Sequence, residues 1–199
     1  MQSDTLSQNY LRDDMKIKRK PFIQHLGHDI EDEDAAWEHL DESLPNIGMV
    51  VMYFNGLEKA LDQLLCETIS DRSDTFGLIV LQNMHYSAKV NLFSRFSEDL
   101  HRAFGETPKP YTKLLDRLRE AAKQRNIVVH ADWENTDEEG YTYSNIRISN
   151  GDMEQEYVQL TPDALEAIVD TILSARKQLG DYCEAKTEMM QSHHRPRPD

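Results

Sequence analysis

Three side chains that could act on a phosphate lie near the end of one predicted helix: Arg125, Asn126 and His130. Over residues 111–129, core-type residues recur at steps of three and four, the spacing of one buried helix face, namely Tyr111, Leu115, Leu118 and Ala122. Arg125 takes the next position on this stripe, where the period calls for an apolar residue. Arginine is almost never fully buried without a partner, and local rules tend to be broken at functional sites. Because His130 follows Asn126 by about 40° and one turn of the helix, we expect the three side chains to converge.

The same helix carries an excess of positive charge in a chain that is strongly acidic overall. Up to Arg125 it has five basic and two acidic side chains, whereas all 199 residues together have a formal net charge of −14 at pH 7. A local reversal of sign focuses the field on anions, so we predict a phosphate site here, with substrate-binding roles for Lys123, Lys89 and Glu58. By default Lys89 and Glu58 are expected to be exposed to solvent. The overall charge argues against non-specific coating of nucleic acid and would also suit a basic partner.

Composition and apolar runs indicate a cytoplasmic protein. The two cysteines, Cys66 and Cys183, are interpreted as buried thiols in a reducing compartment rather than a disulfide framework. The N-terminus lacks the apolar core of a signal peptide, and the longest apolar run, residues 47–54, is far below the ~20 residues that cross a bilayer. No cofactor, metal ion or membrane association is predicted.

The hydrophobic spacing predicts an all-α fold, an antiparallel bundle of four main helices with a β-hairpin inserted after the third long helix. Residues 1–45 are expected to be an N-terminal extension with a short helix over 35–42, docked by Trp37 and Leu40. Residues 46–185 form the predicted helical domain, with the hairpin at about 141–160, and residues 186–199 are predicted to be a disordered tail.

Capping and turn residues set the expected boundaries. Asn46, directly after Pro45, is a suitable N-cap for the first long helix, and Asn150-Gly151 is a strong hairpin signal. Residues 77–81 are ambiguous between a strand and a buried turn. Three helices are expected to turn these sets inward: Ile47, Val50, Phe54, Leu57, Leu61 and Leu64 in the first, Met84, Ala88, Leu92, Phe96, Leu100 and Phe104 in the second, and Leu165, Ile168, Ile172, Ala175, Leu179 and Tyr182 in the last.

A helical bundle whose third long helix ends in Arg-Asn-x-x-x-His resembles the HEPN superfamily (higher eukaryotes and prokaryotes nucleotide-binding domain). Its hallmark is an arginine, four to six residues and then a histidine, often with asparagine directly after the arginine, as in Arg125, Asn126 and His130. The resemblance covers residues 46–183, without the hairpin. It implies a metal-independent ribonuclease that works as a homodimer, with the two Arg/His pairs facing each other across the interface.

The resemblance also implies roles for the three residues and a class of partner. His130 would transfer protons, Arg125 would stabilise charge on the phosphate, and Asn126 would orient the phosphate or the imidazole. RNA would be the substrate, and a toxin or defence role would bring a protein inhibitor or antitoxin. In one toxin branch a tyrosine two residues after the histidine is modified with AMP; Asp132 stands there in this chain, which argues against that form of silencing.

Two alternatives remain open from the sequence. In the first, the three residues pair with carboxylates at a dimer seam, so that the chain is a non-catalytic HEPN-like binding or dimerisation module. In the second, the chain is an unrelated metal-dependent enzyme that uses His25 and His28. RNA cleavage in the presence of a chelator would separate the nuclease from both alternatives.

Overall fold

The first helix is much longer than its apolar spacing indicates. The computed structural model describes residues 15–149 and 151–193, and in it α1 (Glu33–Ile69) runs straight through Pro45. The separate helix over 35–42 and the start at Asn46 are therefore wrong. Asp32 receives the capping hydrogen bond instead, since its Oδ1 accepts from the backbone N–H of Ala35 at 3.0 Å. The Asn46 side chain donates to the carbonyl oxygen of Pro162 at 3.1 Å.

The all-α prediction is also wrong, because the described residues form five helices and a four-stranded antiparallel sheet. The hairpin itself is present as β3 (Tyr141–Ser149) and β4 (Asp152–Gln159), although Asn150 lies outside the described residues. Two further strands extend it to the order β1-β4-β3-β2, with β1 (Ile17–Pro21) pairing with β4 and β2 (Asp132–Thr136) with β3. The sequence concealed β1 because a short edge strand rich in lysine shows no apolar alternation.

The remaining helices are α2 (Thr75–Leu81), α3 (Tyr86–Phe104), α4 (Tyr111–His130) and α5 (Pro162–His193). In α5 the predicted inward set is confirmed, since all six residues are at most 2% exposed. The disordered tail is wrong for residues 186–193, which are helical, and its remainder lies outside the described residues. None of the described helices combines the length and the apolarity needed to span a membrane.

The chain divides into two compact units. One takes in the described residues up to Val51 together with Arg125–Val169, and contains the sheet and the end of α4. The other takes in Met52–Gln124 and the described residues from Asp170 onward, and contains α2 and α3. Arg125, Asn126 and His130 therefore belong to the first unit, and Lys89 belongs to the second.

Helix α3 turns a different face inward from the one its apolar residues predict. The predicted stripe from Met84 to Phe104 is only half-buried, and the buried face carries Val90 and Phe93 together with the polar side chains of Lys89, Ser97 and His101. The true face is thus displaced by one position, and a lysine expected in solvent is buried.

Helix α2 is held against α1 by a glycine and leaves its apolar side chains in solvent. A Cβ on Gly77 would lie 2.6 Å from the Cα of Cys66, so the two backbones approach as closely as glycine permits. Gly77 and Leu81 are the buried residues of this helix. The opposite side exposes four large apolar residues to between 49% and 67%: Phe76, Leu78, Ile79 and Val80.

Gly77→Ala is expected to lower the free energy of unfolding by about 3 kcal/mol, at the upper end of the cost of overpacking. The added methyl group would meet the Cα of Cys66, a backbone atom that cannot rotate away as a side chain can. Gly180→Ala in α5 is the matched control: nothing lies within 4 Å of its Cβ position, so a gain of about 0.5–1 kcal/mol is expected. Urea denaturation of the three proteins measures both effects, and equal changes in the two variants would contradict the close approach.

Candidate functional site

Helix α4 carries an arginine on its buried face. The buried residues are Tyr111, Leu114, Leu118, Ala121 and Val128, so Tyr111 and Leu118 match the prediction, whereas Leu114 and Ala121 take the places expected for Leu115 and Ala122. Arg125 still falls on it, four residues after Ala121 and three before Val128, and is half-buried. The break in the apolar stripe is therefore real.

The asparagine next to Arg125 holds its guanidinium group. Nη1 of Arg125 donates a hydrogen bond to Oδ1 of Asn126 at 3.1 Å, close to the surface. A guanidinium group carries its N–H donors in a planar fork whose spacing matches phosphate oxygens. The pair can therefore present an oriented positive charge to a phosphate.

His130 is exposed and follows Arg125 by five positions, on another side of α4. It is the last residue of α4, and at 100° per residue it lies about 140° around the helix from Arg125 and about 40° from Asn126. Its imidazole makes no side-chain hydrogen bond or ion pair within the described residues. Convergence of Asn126 and His130 stays a prediction, and the same helical geometry places Arg125 and His130 of one chain on different sides of α4.

The neighbouring carboxylate does not hold the imidazole. Oδ2 of Asp132 accepts a hydrogen bond from the side-chain amide of Asn135, and its backbone pairs with Tyr143 in the sheet. No salt bridge joins Asp132 to His130 in the structure. His130 is available to another group.

The end of α4 is fixed by a tryptophan. Nε1 of Trp133 donates to the carbonyl oxygen of Val128 at 2.9 Å, and the backbone N–H of Ala131 donates to that of Ile127 at 3.0 Å. These bonds satisfy carbonyls that a helix end would otherwise leave free. They hold the last turn, with His130 on it, at a defined position before β2 begins.

Two of the three candidate substrate-binding residues, Lys89 and Glu58, form an ion-pair cluster with Asp62 around the buried lysine. Nζ of Lys89, whose side chain is 8% exposed, bonds at 2.8 Å both to Oε1 of Glu58 and to Oδ2 of Asp62. Burial opposes its charge, but the hydrogen bonds that Nζ donates to Asp62 and Glu58, together with the attraction of the two carboxylates, outweigh burial and raise the pKa of Lys89. Its charge is balanced by two carboxylates, so it is poorly suited to bind phosphate. Lys123 is exposed on α4, two residues before Arg125.

Two other histidines are buried in structural roles. Nε2 of His101 lies 3.1 Å from the hydroxyl of Tyr182, and burial lowers its pKa. Nε2 of His28 lies 2.9 Å from Oδ2 of Asp137, with side chains 1% and 4% exposed. His25 is exposed, and no group of three possible metal ligands occurs among the residues that the structure describes. This geometry does not support the alternative of a metal site at His25 and His28.

A pocket that the sequence did not indicate lies between the start of α1 and β2. It encloses about 380 Å³ and is lined by Ile30, Glu33, Ala36, Trp37, Leu40, Trp133, Glu134 and Thr136. Both tryptophans of the chain are in this list. Only their rarity could have signalled the site, because they lie 96 positions apart in the sequence. The fold brings both to the lining of one pocket.

The comparisons with known proteins leave this geometry as the basis for a functional assignment. Searches against protein-family models, curated proteins and solved structures found no match for the chain.

Proposed function

We propose that the chain is a cytoplasmic, metal-independent endoribonuclease whose active site is assembled from Arg125, Asn126 and His130 of two copies. One observation carries the proposal: α4 ends with a half-buried arginine on its core stripe, an asparagine that orients it and an exposed histidine. The resemblance to the HEPN superfamily implies that these three residues form the active site. The net charge of −14 restricts the attraction for RNA to this local site.

The three side chains suit cleavage of RNA by its own 2′-hydroxyl. A base removes the proton of the 2′-hydroxyl, whose oxygen attacks the adjacent phosphorus, and an acid protonates the 5′-oxygen as its bond to phosphorus breaks. Histidine can carry out either transfer near neutral pH. Arg125 would stabilise the charge that builds on the non-bridging oxygens, with Asn126 holding the guanidinium in place.

The second copy follows from the directions of the side chains. Because Arg125 and His130 lie about 140° apart around α4, one helix end does not present both to the same phosphate. A twofold pairing of two such helix ends would bring the arginine of one copy to the histidine of the other. This is why a homodimer belongs to the proposal.

The proposal is tested by incubating the purified protein with transfer RNA in EDTA at pH 7. We expect shorter RNAs that end in a 2′,3′-cyclic phosphate, because no metal ion is required and the 2′-hydroxyl is the nucleophile. The Arg125→Ala/His130→Ala double variant controls for contaminating nucleases. Intact RNA across transfer, ribosomal and messenger substrates, from a protein that is folded and dimeric, would reject the nuclease.

One observation favours the alternative of a non-catalytic binding module. Arg125 already bonds to an asparagine of its own chain, as a purely structural arginine would. Under that alternative the same assay leaves RNA intact, and the double variant loses dimerisation rather than cleavage.

A further inference from the structure

We infer that the pocket between α1 and β2 binds a cationic side chain, foremost an arginine, of a basic protein partner. The pocket lies wholly within the unit that contains the sheet. The inference goes beyond ribonuclease activity and does not depend on it, since none of Arg125, Asn126 and His130 lines the pocket.

The walls offer the aromatic faces that attract cations. Trp37 is 63% exposed although it belongs to α1, so the helix presents an indole to solvent instead of burying it. The Trp133 indole, which also lines the pocket, donates its N–H to the carbonyl oxygen of Val128, and this bond fixes the ring. Tryptophan is the strongest partner in cation–π interactions.

The charges at the pocket select a cation over an anion. Glu33 and Glu134 line it, are exposed, and make no ion pair within the described residues. Glu31, Asp32 and Asp34, beside Glu33, are also exposed. A phosphate would be repelled by these carboxylates, whereas a guanidinium or ammonium group would replace solvent as their partner.

The size and lining of the pocket suit one side chain. Its volume of about 380 Å³ is near the lower end of ligand pockets, and its lining includes the buried residues Ala36 and Thr136. An aliphatic stem could pack on these residues while the charged end lies between the indoles and the carboxylates. Arginine fits better than lysine because its planar group can stack on tryptophan and bond to a carboxylate through two N–H groups.

The two tryptophans make the pocket its own reporter. The chain has no others, so intrinsic tryptophan fluorescence responds to occupancy of this site. We would titrate the full chain with acetyl-Gly-Arg-Gly-amide and with its citrulline counterpart, which has nearly the same shape and no charge. We expect saturable binding of the arginine peptide, at least about tenfold tighter than the citrulline peptide, because cation–π attraction and the carboxylates both require the charge.

Variants decide whether the response comes from this pocket. Glu33→Gln/Glu134→Gln is expected to weaken the arginine peptide about tenfold, and Trp37→Leu to remove saturable binding while far-ultraviolet circular dichroism stays unchanged. Glu38→Gln is the matched control, because Glu38 is an exposed acidic residue of α1 that does not line the pocket. Equal binding of the citrulline peptide, an equal effect of Glu38→Gln, or tighter binding of a single-stranded oligonucleotide would overturn the inference.

Discussion

Replacing His130 with alanine is expected to lower the rate of RNA cleavage by about 1,000-fold, within the range for loss of a general acid or base. The side chain is exposed and makes no hydrogen bond within the described residues, so its removal leaves no cavity and no unpaired partner. The melting temperature should therefore stay within about 1 °C, as for surface substitutions away from structural features. Initial rates on one transfer RNA in EDTA, with thermal melting alongside, measure both quantities.

Arg125→Lys in the same assay separates charge from geometry. Lysine retains the positive charge but loses the planar fork that Asn126 holds, and we expect the rate to fall about 100-fold, as on removal of one oriented donor. Arg119→Lys is the matched control, because Arg119 is exposed on the same helix and lies 3.8 Å from Asp116 in a surface ion pair. Full activity of Arg125→Lys would mean that only the charge matters.

A further control addresses histidine itself. His25 is exposed in the same unit as His130, so His25→Ala should leave cleavage unchanged. If His25→Ala and His130→Ala reduce cleavage equally, the loss is not specific to the end of α4, and the proposed site is wrong.

The sequence predicts best where one apolar face coincides with one buried face. The last helix is such a case, since Leu165 to Tyr182 on the predicted stripe are all buried. In α3 the most apolar stripe is half-buried, and Lys89, Ser97 and His101 take the buried positions. These polar residues find partners far along the chain, such as Tyr182 for His101, and periodicity in a single segment does not reveal such partners.

The sheet escaped prediction for a different reason. Only the hairpin has a local signal, in Asn150-Gly151. The strand β1 pairs with residues more than 130 positions later, and β2 follows directly from α4 across Ala131. Such segments become strands because the edges of the hairpin offer backbone groups to pair with, rather than because of their own composition.

The residues of the candidate site come from the sequence, and their joint role stays a prediction. Arg125 stands out because it interrupts a regular apolar stripe. The interruption is present in the structure, although two of the stripe residues differ by one position from the predicted ones. The sequence does not indicate the pocket, because a tryptophan in a helix predicts a docking residue, whereas Trp37 is 63% exposed. A hydrophobic residue on a helix signals burial from sequence alone, and only the fold shows an indole left open beside carboxylates.

Lys89→Met is expected to lower the free energy of unfolding by about 3 kcal/mol, near the lower end for removing one partner of a buried ion pair. The lower end applies because Glu58 and Asp62 retain 31% and 30% of their side-chain exposure. Without the ammonium group, two carboxylates four residues apart on α1 would repel each other. Oδ1 of Asp62 is already buried without a hydrogen-bond partner in the described residues. In a chain of this size the loss corresponds to a melting temperature roughly 6–12 °C lower.

The matched control is Lys177→Met. Lys177 also pairs with an aspartate, Asp181 at 2.8 Å, but the lysine is exposed at the surface of α5, and we expect no measurable change in stability because exposed pairs contribute little. In the wild-type protein the pKa of Lys89 is raised on folding. Its contribution is thus fully present below the unfolded pKa of ~10.4 and is lost as the pH rises through the higher folded value.

The triple variant Lys89→Met/Glu58→Gln/Asp62→Asn tests whether the cluster is structural or binds substrate. Removing all three charges abolishes the repulsion, so most of the lost stability should return even though the lysine is still missing. If Lys89 has only this structural role, the folded triple variant should cleave RNA as fast as the wild-type protein, because Lys89 and Glu58 are already paired with each other. If stability returns and cleavage does not, the cluster contacts RNA, and the original assignment of Lys89 and Glu58 to substrate binding is the correct one.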